Sequence, residues 1–154
     1  MTKQRMLLLV VIALSATTGV AQSRQRVSAQ KEKEIVQQLI RDREITAKCV
    51  QEAGGAQKTV YVNSVDLNRD GKPEFIVDLH TSCGAGNGYK WIYRRTTTGY
   101  EQLLSAGGPR TEIAPLKSYT NGYRDVVEAA FASVSGDSVR TIYRFDGKRY
   151  REKR

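Results

Sequence analysis

Segment 66–74 reads D-L-N-R-D-G-K-P-E, and it concentrates the side chains with the clearest chemistry. A hard cation such as calcium takes about 6–8 oxygen ligands, several of them anionic. Asp66, Asn68 and Asp70 alternate, so in a tight loop their oxygens can converge on one point. Gly71 permits the sharp turn, Lys72 offers a main-chain carbonyl, and Glu74 stands at the start of the next apolar run. A weak calcium site is the chemical expectation. The competing expectation is a tight Asp-Gly hairpin turn in which Asp66 accepts backbone N–H bonds without metal. Arg69 and Lys72 place positive charge beside the cation and weaken it. An EF-hand is excluded, because its twelfth position here is Val77 and strand-like sequence follows the loop.

Other reactive residues form no catalytic pattern. His80 is the only histidine and lies on an alternating strand, near Cys83. Glu74 and Asp78 share a strand face about 13 Å apart, beyond the ~6.5–9.5 Å that separates an inverting acid–base pair. The stretch from Cys83 to Gly88 is Gly-rich but lacks the Lys-Ser/Thr of a phosphate loop and precedes a strand. No catalytic residue is assigned. Cys49 and Cys83 are an even pair, expected as one disulfide if the chain is exported. Closing that loop of about 35 residues would stabilise the fold by roughly 3–4 kcal/mol on the chain-entropy model. Tyr119, Tyr123, Arg124 and Tyr150 are the candidate binding surface, with Trp91 expected in the core and Tyr119 and Tyr150 at the surface.

Two resemblances bear on these residues. Asp66-Leu67-Asn68-Arg69-Asp70-Gly71-Lys72-Pro73-Glu74-Phe75 resembles the D-x-D/N-x-D-G-x-x-D/E loop of FG-GAP and VCBS-type repeats. That resemblance implies calcium held between two strands by Asp66, Asn68, Asp70 and Glu74, with the Lys72 carbonyl. Those families repeat the loop around a propeller, whereas this chain has one copy, so no propeller is expected. From the loop through Trp91-Ile92-Tyr93, Thr120-Asn121-Gly122-Tyr123 and Tyr143-Arg144-Phe145-Asp146-Gly147-Lys148, the chain also resembles small exported bacterial proteins of uncharacterised function. The second resemblance brings no activity with it.

The elements that must position the loop follow from periodicity. Ile35, Val36, Leu39 and Ile40 recur at helical spacing, and the face can continue through Ala47 and Val50 to a stop at Gly54-Gly55, with Ile45 and Thr46 marking an earlier end. Ser28 is placed to cap this helix, with Glu32 on a face away from its apolar stripe. Beyond Gly55 the period becomes alternating, predicting strands over 59–66, 75–80, 89–95, 100–104, 112–117, 123–132, 139–145 and 148–151. The turns between them are too short for βαβ crossovers, so hairpins must join antiparallel neighbours. The expected fold is α+β: an N-terminal amphipathic helix on an antiparallel meander of about seven or eight short strands. Partial closure into a barrel is the variant that hides the edges. One sheet face is expected to be apolar and aromatic, the other mixed and basic.

The first residues read as an export signal. Lys3 and Arg5 precede an apolar run too short to span a bilayer, and Gly19 and Ala21 fit a cut before Gln22. The expected organisation is therefore a signal peptide over 1–21, a flexible tether over 22–30 and one domain over 31–154. No stable membrane span is expected after cleavage. The whole chain has 25 basic against 16 acidic residues, a formal charge of +9. In a periplasmic or secreted protein such charge favours envelope polyanions, glycans or proteins over nucleic acid, although basic residues scattered this way are expected first to keep the domain soluble. The functional expectation is a non-enzymatic binding or structural module of the envelope. The alternative is an exported inhibitor of a cell-wall hydrolase, such as a lysozyme inhibitor; an enzyme ranks third.

Overall fold

Alternating apolar residues on the central strands build two cores, one on each face of the same sheet. A computed structural model describes residues 25–80, 88–108, 111–131 and 138–153. The described elements begin with β1 (Gln25–Arg26), α1 (Ala29–Arg41), α2 (Ala47–Glu52) and α3 (Ala56–Thr59). Strands β2 (Val60–Val65), β3 (Glu74–Leu79), β4 (Tyr89–Arg95) and β5 (Tyr100–Gly107) follow. The chain continues through β6 (Thr111–Thr120), β7 (Tyr123–Phe131), β8 (Ser138–Phe145) and β9 (Tyr150–Glu152). Every pairing is antiparallel between neighbours in sequence, as the short turns require.

The strands make two sheets, not one meander: β1-β2-β3-β4-β5 and β6-β7-β8-β9. No barrel closes, because β5 and β6 do not pair and each sheet keeps its own edges. The physical reason lies in the side chains. On the first sheet Val60, Val62, Phe75, Val77, Trp91 and Tyr93 meet Ile35, Val36 and Leu39 of α1. On its other face Ile76, Ile92, Leu103 and Leu104 meet Ile113, Val126, Phe145 and Tyr150 of the second sheet. The first sheet therefore buries apolar residues on both faces, and its second face is mixed as expected, with the Lys90–Asp78 ion pair and Arg94 beside Ile76 and Ile92. A three-layer stack of helix, sheet and sheet satisfies both faces at once.

Local signals explain the helices. The Ser28 hydroxyl accepts the Lys31 N–H at 3.3 Å and caps α1. The helix stops at Arg41, close to the earlier of its two expected ends and well short of Gly54-Gly55. Arg43 adopts φ 61°, with Glu44 N–H bonded to the Leu39 carbonyl and Arg43 N–H to the Ile40 carbonyl. That is a Schellman end, and it drops Ile45 into the core before Thr46 caps α2. Glu32 is buried, not exposed, because Arg26 of β1 folds over it at 3.0 Å. Gln25 and Arg26, expected within a tether, pair with Ser64 and Asn63. Among the described residues no helix is long and apolar enough to cross a membrane. The expected export signal and Cys83 lie outside the described residues.

Candidate functional site

The segment 66–73 connects β2 to β3, and Val65 pairs with Glu74 at its base. Its side chains turn inward onto its own backbone. The two carboxylate oxygens of Asp66 accept N–H bonds from Arg69 at 2.7 Å and Gly71 at 3.1 Å. The Asn68 oxygen takes the Asp70 N–H at 3.0 Å, and Asp70 takes the Lys72 N–H at 2.7 Å. Glu74, only 2 % exposed, accepts the Leu67 N–H at 2.8 Å. Burial, with Asp70 and Asp66 as negative neighbours, pushes the Glu74 carboxyl up to about 7.

The loop also ties the two sheets together. Leu67 is fully buried in the inter-sheet core, and its carbonyl accepts the Arg124 N–H of β7 at 2.8 Å. Asn68 donates its amide to the Tyr123 hydroxyl at 3.0 Å, which also accepts from Arg94 at 3.1 Å. The Arg69 guanidinium lies over the Tyr119 ring, 4.4 Å from its centroid. Thus the acidic loop and the aromatic candidates, far apart in sequence, meet at the sheet–sheet junction.

The expected binding surface does not survive as a surface. Tyr123 and Tyr150 are buried, at 7 % and 3 % exposure, and stack around Phe145. Tyr150 donates to the Arg124 carbonyl at 2.7 Å. Arg124 itself reaches back to the carbonyls of Leu116 and Pro115, which the irregular pairing between Pro115 and Tyr119 leaves for it. Only Tyr119 stays substantially exposed, at 37 %. Full burial is available to these tyrosines because a hydrogen-bond partner stands at each hydroxyl. Trp91 lies in the core as expected. Cys49 is engaged in a disulfide.

The loop carries oxygens of the type a hard cation takes, on Asp66, Asn68, Asp70, Glu74 and the Lys72 carbonyl, and its four side chains turn theirs to backbone N–H groups of the loop itself. Each oxygen that accepts one N–H keeps a further lone pair. Among the described residues no group of three or more His, Cys, Asp or Glu is arranged to hold a metal ion. Asn68 and the Lys72 carbonyl would therefore have to complete the set.

A second feature was not legible in the sequence. A groove of about 810 Å³ runs beside the start of α1, the loop and the end of β4. Val27, Pro73 and Phe75 supply apolar lining, while Lys31, Lys72, Arg94 and Arg95 supply cations. The Arg94-Arg95 pair closing an aromatic strand was the only local hint; Lys31 arrives from a distant helix. No family model matches the sequence, and no curated protein or solved structure shows significant similarity to it.

Proposed function

We propose that this chain is an exported, non-enzymatic binding module of the cell envelope, with calcium stabilising the loop between β2 and β3. The observation that supports binding is the groove beside α1, whose volume falls within the ~300–1,000 Å³ of small-ligand sites. Its lining mixes apolar surface with cations, hydroxyls and the carboxyls of Asp70 and Glu74, a composition that can hold a polar ligand. Asp66, Asn68, Asp70, Glu74 and the Lys72 carbonyl would hold the ion. Calcium would supply charge neutralisation there, including at Glu74, whose carboxyl burial chiefly, and Asp70 and Asp66 to a lesser degree, push up to about 7. In this reading the loop serves stability, and the groove beside it serves recognition.

The test is retention of envelope material. Immobilised protein is exposed to envelope extract of the source cells, with and without chelator, and bound carbohydrate and protein are identified. A saturable component displaced by free protein is the expected result. No retained component, or turnover of that component on incubation, overturns the reading.

A further inference from the structure

We propose that the groove beside α1 binds a carboxylate-bearing oligosaccharide, with Lys72 and Arg95 recognising its acidic groups. The inference rests on the binding-module reading and names the ligand class of the same site. Of the four cations lining the groove, two are already engaged. Lys31 bonds Glu34 at 2.6 Å and lies against the Tyr100 ring, 5.6 Å from its centroid. Arg94 bonds Glu101 at 2.6 Å and the Tyr123 hydroxyl at 3.1 Å. Lys72 and Arg95 are exposed, and among the described residues neither side chain has an ion-pair partner. They stand at adjacent hairpin ends, since Phe75, three residues after Lys72, pairs with Tyr93, two residues before Arg95.

The remaining lining narrows the ligand. Val27, Pro73 and Phe75 give an apolar patch, while Ser64, Thr96 and Thr97 place hydroxyls around it. A sugar ring offers the matching pair of surfaces, a face of C–H groups and a rim of hydroxyls. An acidic sugar adds one carboxylate per ring. Asp70 and Glu74 also line the groove. Their oxygens accept the N–H groups of Lys72 and Leu67, which leaves Lys72 and Arg95 as the outward cations with two acidic groups beside them. Those acidic groups penalise a ligand that carries charge at every position, such as polyphosphate. Spaced carboxylates on a neutral, hydroxylated frame fit this arrangement better. Arg95 can take a carboxylate through two parallel N–H bonds, and Lys72 can add a point charge.

Calorimetric titration with trigalacturonate, against maltotriose as the neutral trisaccharide, tests the inference directly. The expected result is salt-sensitive binding of the uronate and none of maltotriose. Lys72→Gln and Arg95→Gln should each weaken it roughly tenfold. The control is Arg140→Gln with Lys153→Gln, which removes the same charge from exposed positions on the second sheet and should leave affinity unchanged. Absence of uronate binding at millimolar concentration, equal binding of maltotriose, or equal weakening by the control pair each overturns the inference. The extract experiment separates this failure from that of the wider reading. A component retained equally by the Lys72→Gln/Arg95→Gln protein overturns the ligand class but leaves a binding module. Retention of nothing removes both.

Discussion

The carboxylate of Glu74 accepts the main-chain N–H of Leu67 at 2.8 Å across the mouth of the loop between β2 and β3. The carbonyl of the same Leu67 accepts from Arg124 on the second sheet. One peptide neighbourhood therefore joins a buried acid, a hairpin turn and the contact between two sheets. Such a bond is worth most where water cannot replace it, and Leu67 is fully buried.

Glu74 makes stability depend on pH in a definite direction. Its carboxyl is raised to about 7 from an ordinary value of 4.5, chiefly by burial. The folded protein thus holds the proton more tightly than the unfolded chain. This stabilising contribution is complete below about pH 4.5 and is lost as pH rises through about 7. In chelated buffer, thermal unfolding at about pH 8 should show roughly 1–3 kcal/mol less stability from this group than at about pH 5. Glu74→Gln keeps an oxygen for Leu67 and cannot ionise, so its melting temperature should flatten across that window. An unchanged slope in the variant would assign the pH dependence elsewhere.

Tyr150 and Tyr119 should respond in opposite ways to loss of the ring hydroxyl. Tyr150→Phe removes the donor that the half-buried Arg124 carbonyl accepts at 2.7 Å. A cost of about 1–2 kcal/mol in urea unfolding is expected. Tyr119→Phe leaves the ring under Arg69, and an exposed position of this kind should shift stability by no more than about 0.5 kcal/mol. Equal effects would contradict the division into a core and a surface tyrosine.

Calcium should raise the melting temperature, and more so at about pH 8 than at about pH 5, because protons compete with it for Glu74. For a site of ~10⁻⁴–10⁻³ M affinity, about 1 mM calcium contributes roughly 0.4–1.4 kcal/mol. Asp70→Asn preserves an acceptor for the Lys72 N–H while removing a charge, and should abolish most of that gain. Magnesium should do less, since it demands a stricter octahedral shell. A melting temperature indifferent to calcium in the wild-type protein would leave the loop as a turn held by its own backbone bonds.

Strand positions were legible in the sequence because alternation and Asp/Asn-Gly turns are local signals. β2, β3, β4, β7 and β8 lie close to where the alternating runs place them. The division into two sheets was not legible. Alternation reports that Ile76 and Ile92 point away from Val77 and Trp91, but not that a second sheet waits on that side. The same blindness misplaced Tyr150, whose hydroxyl is satisfied by a carbonyl 26 residues away in sequence. Helix α1 follows its apolar stripe, and the sequence leaves Ile45-Thr46 and Gly54-Gly55 both open as its end because nothing local marks Arg43 for the left-handed position that usually takes glycine. The acidic loop could be read because its donors are consecutive. The groove could not, because Lys31, Lys72 and Arg95 are assembled by three separate elements.

Gly71 and Gly107 both have positive φ, at 80° and 142°, yet alanine should be tolerated very differently at the two. A Cβ at Gly71 meets nothing within 4 Å, so Gly71→Ala carries only backbone strain, about 1 kcal/mol. A Cβ at Gly107 would stand 2.7 Å from both the Gly88 carbonyl oxygen and the Tyr89 Cα. Those neighbours are backbone atoms of the paired strand, and they can yield only by prising β4 from β5. Gly107→Ala should therefore cost about 3 kcal/mol or more and speed amide exchange first at Tyr89 and Lys90. Equal destabilisation at the two glycines, or exchange spread evenly through the sheet, would show that the close approach of β5 to β4 at Tyr89 does not limit this position.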